Sequence, residues 1–245
     1  MKTKIFSASN IRNISYRTFC IVLIFAFAVG LTACSSNPDI TVGDVIQFGG
    51  NDWRVLEVKG DNALILSDGI LFSMPYQVPP EGEIFVPIHT TEITWEECDL
   101  RQYLNSEFYD TTFSADEKQR IIDTTLKNDK NPWYGIEGGY DTKDKVFLLS
   151  LDEVIQYFGS SEETAVENWQ NDTFIDDQFN KARIAKTSEG AATMWWLRSP
   201  GGNYYCGKDH IILAATVMNN GGLCIQGDYV SNGYVGVRPA LWLKV

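Results

Sequence analysis

Two short segments of this sequence enclose an arginine among large apolar residues and set a proline close to it. They are WWLRSP at Trp195–Pro200 and GVRPALWL at Gly236–Leu243. A guanidinium in such surroundings has five N–H donors that need acceptors, because an unpaired buried charge costs several kcal/mol. We therefore expect Arg198 and Arg238 to be structural residues with internal partners, in a compact β structure that the C-terminus closes.

The N-terminus has a basic segment followed by an apolar one. Four basic residues lie within the first 17 positions, and the apolar stretch Phe19–Gly30 has 12 residues, whereas crossing a bilayer takes about 20. LTAC follows, the pattern of a lipobox. We interpret residues 1–33 as a lipoprotein signal peptide, Cys34 as the lipidation site and residues 34–40 as a tether. An uncleaved anchor, or an ordinary signal peptide with a chance cysteine, are the alternatives.

Lipidation would attach the chain to the cell membrane, exposed outside the cytoplasm, since the acyl chains insert stably into lipid. Removing residues 1–33 takes away four basic and no acidic residues, which changes the net charge from −12 to −16. Binding to nucleic acid needs clustered lysine and arginine, so we expect no nucleic-acid partner. Solubility outside the cell is a sufficient explanation of the charge.

Three cysteines remain once Cys20 leaves with the signal and Cys34 is acylated. They are Cys98, Cys206 and Cys224, and the odd number leaves at least one without a partner in the chain. Cys206 and Cys224 flank the same predicted β region and are a possible disulfide. Two buried thiols are the alternative.

Local patterns predict strands first and helices next. Residues 44–48, 53–58 and 63–67 are predicted strands joined by glycine-containing turns, and the proline-bearing residues 74–87 are predicted to be a linker or mobile surface loop. Three Ser/Thr-x-x-Glu capping boxes predict helix starts. The boxes begin at Thr94, Ser114 and Ser150.

From Trp195 onward the pattern is that of strands separated by turns. NNGG at 219–222 is a strong turn signal between two apolar runs, and Pro239 in the last run predicts an edge or a bulge. We assign Trp195, Trp196 and Trp242 to the core, because indoles among apolar residues are mostly buried.

An ordered set of motifs resembles the DUF6273 family of bacterial proteins. The motifs are TWEECDLRQYLNSEFYDTTFSADEKQRI, KVFLLSLDEV, WWLRSPG and GVRPALWL, with GDVIQFGGNDWRVLEV upstream. The resemblance covers roughly 42–243 and implies no particular activity. It implies a fold similar to the C-type-lectin-like fold of formylglycine-generating enzymes.

The expected fold class is α+β. A small N-terminal β-hairpin or barrel-like module, residues 41–88, would join a C-type-lectin-like domain, residues 89–245, in which helices pack on a short, twisted antiparallel sheet. This division combines the strand pattern before the proline-bearing loop with the resemblance to the family.

The sequence offers few groups for catalysis. It has no G-x-S-x-G, no zinc or nucleotide-binding motif, and only His89 and His210 as imidazoles. A copper site of the formylglycine-generating type would need Cys206 and Cys224 together. Calcium is possible at the oxygen-rich residues 139–144 or 168–172, but the sugar-binding tripeptides of true C-type lectins are missing. We expect no enzyme and no cofactor.

Aromatic residues in two glycine-rich loops are the best functional signal. Loop aromatics beside short polar side chains often form sugar or peptide sites by ring stacking, although the same rings can fold over the core instead. The predicted ligand-binding residues are Trp133, Tyr134, Asp141, Asn203, Tyr204, Tyr205 and Asp209. We expect a cell-surface lipoprotein that binds a glycan, a cell-wall component or a protein. A structural or assembly role in the envelope is the alternative, and an enzyme of the formylglycine-generating type is a third.

Overall fold

A computed structural model describes residues 40–83, 93–159, 174–202 and 213–245. All of them belong to one unit, Asn37–Val245. The described strands are β1 (Val45–Phe48), β2 (Asn51–Lys59), β3 (Asn62–Ser67), β4 (Phe72–Ser73), β5 (Ile121–Ile122), β6 (Thr124–Leu126), β7 (Thr142–Asp144), β8 (Phe174–Ile175), β9 (Ala185–Lys186), β10 (Ala192–Thr193), β11 (Trp195–Pro200), β12 (Leu213–Val217), β13 (Leu223–Tyr229), β14 (Gly236–Val237) and β15 (Ala240–Lys244). The described helices are α1 (Asp99–Tyr103), α2 (Tyr109–Thr112), α3 (Ala115–Arg120), α4 (Leu151–Phe158) and α5 (Asn180–Arg183), with a π-helical turn, Leu104–Phe108, between α1 and α2.

The first of two larger sheets has the strand order β1-β2-β3-β15-β5, with every neighbour antiparallel. Its three N-terminal strands match the predicted ones to within two residues at each end. The last strand of the chain inserts between β3 and β5, with Ala240 opposite Leu66 and Lys244 opposite Asn62. The C-terminus thus completes a sheet that the N-terminal strands begin.

The second sheet has the order β4-β14-β11-β12-β13-β8. The β11–β14 pair is parallel and the other pairs are antiparallel. Its long strands β11 and β12 are buried along their whole length, as strands covered on both faces are. The predicted turn at residues 219–222 joins β12 to β13, and the Met218 amide donates to the Gly222 carbonyl at 2.7 Å.

The chain changes sheets at Arg238 and Pro239. β14 belongs to the second sheet and β15 to the first, so the single apolar run expected from the sequence is two strands with a break at the proline. Proline has no N–H for a ladder, but its carbonyl accepts from the Ser67 amide at 2.9 Å. The break places Arg238 between the two sheets.

The division expected at residues 88 and 89 does not separate two units. Residues 62–67 pair with residues 240–244, and β4 pairs with β14, so strands from both sides of that boundary share both sheets. The described chain is a mixed α+β structure dominated by sheet.

Two of the three capping boxes are present as predicted. The Ser114 and Ser150 hydroxyls accept from the amides three residues on, and the Glu117 and Glu153 carboxylates accept from the amides of the two serines. The helix start predicted at Thr94 is wrong. The Glu97 and Cys98 amides both donate to the Thr94 carbonyl, and this single turn ends at the extended Cys98.

Cys98 is the N-cap of α1. Its Sγ accepts from the Arg101 amide at 3.4 Å, and its side chain is fully buried. Burial raises the pKa of the Cys98 thiol to about 12, and burial is also the main reason that the pKa of Tyr76 is raised well above its usual value. Both groups are therefore held in their neutral forms.

These raised pKa values predict alkaline instability. The unfolded thiol ionises first, so the stability contributed by Cys98 is complete below the ordinary thiol pKa of 9.0 and is lost as pH rises toward 12. In that window Cys98 should lower the free energy of unfolding by about 1.4 kcal/mol per pH unit. Urea unfolding at a series of alkaline pH values would measure it. Cys98→Ser, which keeps a capping oxygen and does not titrate there, should have a shallower slope; an unchanged slope would contradict the assignment.

Residues 74–77 of the proline-bearing loop pack against the core, whereas the described residues 80–83 are exposed at the surface. Tyr76 is fully buried, its hydroxyl donates to the Arg198 carbonyl at 3.2 Å, and its ring lies 5.6 Å from that of Trp196. The Trp196 Nε1 donates to the Met74 carbonyl at 3.0 Å. An aromatic anchor thus fixes residues 74–77 to β11, which proline content alone does not reveal.

Candidate functional site

A polar cleft of about 340 Å³ opens between α4, the segment that follows β6, and the outer face of the first sheet. Its floor and walls come from segments far apart in the chain, which the sheets bring together. The lining residues are Glu57, Lys59, Leu64, Thr124–Lys130, Pro132, Phe147, Ser150–Glu153, Gln156, Tyr157, Arg198, Ser199 and Trp242.

An ion pair between Arg198 and Glu153 forms one side of the cleft. The Arg198 side chain is almost fully buried, and its two Nη atoms donate to the two carboxylate oxygens of Glu153, Nη2 at 2.9 Å. Nη1 also donates to the Leu148 carbonyl at 2.8 Å. Because Glu153 accepts from the Ser150 amide as well, one carboxylate caps α4 and neutralises the buried arginine.

A chain of contacts from Tyr157 to Trp242 forms the opposite wall. The Tyr157 hydroxyl donates to Glu57 Oε2 at 2.7 Å, and Lys59 Nζ lies 2.8 Å from Glu57 Oε1. The same Nζ lies 5.4 Å from the centre of the Trp242 ring. Burial alone would raise the pKa of Glu57, but the contacts with Lys59 and Tyr157 outweigh burial and lower it.

The two other carboxylates of the cleft are those of Asp129 and Asp152. The pKa of Asp152 is raised, first because its surroundings are partly desolvated and then because Asp129 and Glu153 are close. The pKa of Tyr157 is raised by burial and by its hydrogen bond to Glu57, so the hydroxyl stays protonated as a donor. Because the Tyr157 proton is already donated to Glu57, the donors offered to a ligand are those of Lys127 and Lys130, and the acceptors are the carboxylates of Asp129 and Asp152.

The charges of the cleft balance. Four acidic residues face four basic residues in the lining, although the whole chain has a net charge of −12. They are Glu57, Asp129, Asp152 and Glu153 against Lys59, Lys127, Lys130 and Arg198. A cleft with many polar groups and no net charge suits an uncharged ligand with many hydroxyl or amide groups, bound by hydrogen bonds and by aromatic contact.

Comparison with protein-family models decides the family. The model described as "Domain of unknown function (DUF6273)" matches residues 60–245. The chain belongs to the DUF6273 family. No curated protein and no solved structure matches the chain. All cleft residues of the DUF6273 domain fall inside the matched range except Glu57 and Lys59, which lie on β2 just before it.

The predicted aromatic loop of the DUF6273 domain lies beside the cleft and is anchored by Asn131. The buried Asn131 side chain accepts from the Trp133 and Tyr134 amides at 3.0 and 3.2 Å and donates to the Pro200 and Ile225 carbonyls at 2.9 and 3.1 Å. Trp133 and Tyr134 are half-buried and pack against the core. Asn131 is not among the predicted site residues, because its only signal in the sequence is the Asn-Pro dipeptide of a turn.

The first predicted loop contacts Gly202, directly before the second. A side chain at Gly202 would come within 2.5 Å of Tyr134 Cγ, so the ring of Tyr134 packs directly on this glycine. The glycine is the last described residue before the second predicted loop. Asp141 is exposed, at the end of the first loop. The other predicted binding residues, Asn203, Tyr204, Tyr205 and Asp209, lie outside the described residues.

The tryptophans assigned to the core differ in their positions. Trp195 and Trp196 are fully buried, and the Trp195 Nε1 donates to the Arg183 carbonyl at 3.2 Å. Trp242 is only half-buried, because side chains alternate along β15 and its neighbours Leu241 and Leu243 occupy the core face. Its ring lines the cleft, so assigning Trp242 to the core is correct only in part.

Some residues of the cysteine and metal predictions lie outside the described part of the chain. Cys224 is buried, and its Sγ accepts from the Gly227 amide at 3.3 Å, whereas Cys206, its possible disulfide partner, and the lipidation site Cys34 are not described. Within residues 40–83, 93–159, 174–202 and 213–245, no cluster of three or more His, Cys, Asp or Glu side chains could hold a metal ion. None of the described helices is long and apolar enough to span a membrane.

Proposed function

We propose that this DUF6273 domain is the extracytoplasmic part of a lipid-anchored protein and binds an uncharged carbohydrate in the cleft without transforming it. The balanced charge of the cleft, next to the half-exposed ring of Trp242, is the observation that carries the proposal. Carbohydrate sites combine a ring that stacks on the sugar with short polar groups that bind its hydroxyls. The volume of about 340 Å³ suits one or two sugar units of a glycan or cell-wall polymer.

Binding without catalysis is supported by the state of the carboxylates. Glu153 is occupied by Arg198, and Glu57 by Lys59 and Tyr157. Neither is placed to exchange a proton with a ligand without breaking an ion pair. Because hydrolysis of a glycoside needs an acid and a second carboxylate as base or nucleophile, only Asp152 and Asp129 are left among the lining carboxylates for those roles, and we favour recognition.

The finer fold assignment is part of the same proposal. The motifs that resemble the C-type-lectin-like fold, WWLRSP and GVRPALWL, contribute the neighbouring parallel strands β11 and β14. Helix α4 packs against β11 through the Arg198–Glu153 pair. We infer that the C-type-lectin-like domain expected at residues 89–245 is built around the second sheet and extended by the strands of the first.

A glycan array and soluble cell-wall fragments, tested on the full-length chain, would examine the proposed function. Trp242→Ala should weaken binding of the selected glycan by about tenfold or more, because a stacking ring contributes roughly 1.5 kcal/mol beyond the area it buries. Tyr234→Ala is the matched control, since Tyr234 is 89% exposed and lies outside the cleft. Equal losses in both variants, or no glycan bound by the wild type, would reject the proposal. Capture of envelope proteins instead would favour a structural or assembly role.

Lipidation is tested at Cys34. We expect Cys34→Ala to leave the protein without diacylglycerol, so that it no longer partitions with membranes and its processing no longer responds to globomycin. The physical reason is that stable anchoring depends on the acyl chains, each buried CH₂ of which contributes about 0.8 kcal/mol. Metabolic labelling with a fatty acid and membrane fractionation would measure both effects. Unchanged partitioning and processing would contradict lipidation at Cys34.

A further inference from the structure

A second opening, a groove of about 990 Å³, lies on another side of the first sheet. Its walls are the β1–β2 hairpin, the segment after β3, the end of α4 and the segment from α5 past β9. Apolar side chains supply much of the lining, chiefly Val55, Leu56, Ile70, Leu71, Phe158 and Ile184. The groove shares Tyr157 with the cleft but is otherwise lined by different residues.

Arg238 lies in the wall of this groove with an incomplete set of partners. Its Nε donates to the Ser67 carbonyl at 2.9 Å and its Nη2 to the Asp68 carbonyl at 3.3 Å. Nη1 is buried and has no acceptor among the described residues, and the whole side chain is 2% exposed. Arg198, by contrast, has a carboxylate on both of its Nη atoms.

Two aromatic rings hold the guanidinium in place. The Cζ of Arg238 lies 5.0 Å from the ring centre of Trp195 and 5.6 Å from that of Phe158. These contacts are favourable for a cation but provide no hydrogen-bond acceptor. Asp68, the acid whose charge acts on Arg238, is already paired with Arg54 at 2.6 Å. The positive charge of Arg238 is therefore not neutralised by a carboxylate of its own within the described structure.

The groove is locally positive in a strongly acidic protein. The basic residues of its lining are Arg54, Lys181, Lys186 and Arg238, against Asp52 and Asp68. Lys181 and Lys186 are exposed at the rim and are in no ion pair within the described residues. Because the cleft is charge-balanced and the chain as a whole is negative, the sign of this patch selects an anionic group.

We propose that this groove binds the carboxyl-terminal end of an apolar peptide segment, with the carboxylate received by Nη1 of Arg238 and steered by Lys181 and Lys186. A carboxylate supplies the acceptor and the negative charge that the buried guanidinium lacks, and an arginine fork matches its geometry. The apolar walls favour a peptide with small aliphatic side chains over an acidic sugar, whose hydroxyls would meet few polar partners there. The site is independent of the proposed carbohydrate cleft.

The test uses the full-length chain and a library of N-acetylated tripeptides of alanine, leucine and valine. The library is prepared once with free carboxyl termini and once as carboxamides, in which the charge is removed and one acceptor oxygen is replaced by an NH₂ donor. We expect the free acids to bind and the carboxamides to bind at least about tenfold more weakly, measured by calorimetry or ligand-observed magnetic resonance. Arg238 itself is left unchanged, since its carbonyl contacts also connect the two sheets.

Rim lysines provide the variant and its control. Lys181→Gln with Lys186→Gln should weaken binding of the free acids about threefold at low salt, and the difference should disappear at high salt. Lys143→Gln with Lys244→Gln removes the same charge from exposed positions outside the groove and should change nothing. Trp242→Ala, in the cleft, should not affect peptide binding either.

Three outcomes would overturn the proposal. They are equal binding of acids and carboxamides, no binding of either series, and equal loss in the rim and control variants. Binding of an acidic oligosaccharide such as oligogalacturonate, without binding of the tripeptides, would keep an anion site but reject a peptide as its occupant. Failure of glycan binding in the cleft would leave the peptide result unaffected, so the two proposals are separable.

Discussion

Arg198→Met will lower the free energy of unfolding by about 3 kcal/mol, the lower end of the range for breaking a buried ion pair. The variant leaves the Glu153 carboxylate without its cation and the Leu148 carbonyl without its donor. The cost is at the lower end because the Glu153 side chain is 25% exposed and keeps some contact with water. Urea unfolding and a thermal scan would measure the loss, which for a chain of this size corresponds to roughly 6–12 °C.

The double variant Arg198→Met with Glu153→Gln distinguishes two causes of the stability loss, the unpaired carboxylate of Glu153 and the packing lost with the arginine side chain. Because neutralising Glu153 removes the unpaired carboxylate, the double variant should regain part of the stability that Arg198→Met loses. Arg238→Met is a second comparison. Because Arg238 donates to carbonyls and to no carboxylate in the described structure, its replacement leaves no carboxylate unpaired and should lower the free energy of unfolding by less. A midpoint shift under about 2 °C for Arg198→Met would contradict the assigned role.

Trp195→Ala will be the most destabilising single substitution considered for this chain, with a loss of about 3–5 kcal/mol in the free energy of unfolding. Trp195 is fully buried on β11, where its Nε1 donates to the Arg183 carbonyl at 3.2 Å and its ring supports the guanidinium of Arg238. The substitution leaves a large cavity in the core beside β11 and removes one of the two rings that contact Arg238. Denaturant unfolding followed by circular dichroism would measure the loss.

Trp133→Ala is the informative comparison for this prediction. Trp133 is half-buried in the loop held by Asn131, so its removal leaves a shallower defect and should cost clearly less than removal of Trp195. If Trp133 contributes to ligand binding, Trp133→Ala will weaken binding more than it shifts the melting curve. Equal stability losses in the two variants would mean that the aromatic loop serves only as packing.

Features with local causes could be predicted from the sequence. The capping boxes at Ser114 and Ser150 depend on residues three positions apart, and the turn at residues 219–222 depends on its own four residues. The first three strands were predicted for the same reason. The box at Thr94 failed because a competing cap at Cys98, with buried Trp95 between them, starts the helix four residues later.

Features that depend on long-range pairing were beyond the sequence. Insertion of β15 beside β3 joins residues about 180 positions apart, a contact that no local pattern encodes. The same pairing turns Trp242 toward the cleft and brings Glu57 and Lys59 to within reach of it. The cleft could therefore not be predicted. The structural role of the arginine-containing segments could, because a buried charge needs a partner whichever part of the chain supplies it.

The central claim is that a carbohydrate binds in the cleft beside Trp242. Amide hydrogen exchange of the full-length chain tests this claim most directly. The exchange would be measured with and without the glycan selected on the array. Our account predicts slower exchange on binding in residues 124–130 and 150–157, which form the walls of the cleft. Protection confined to residues 131–138 and 199–202, around the aromatic loop, or no protection in any of these segments, would contradict it.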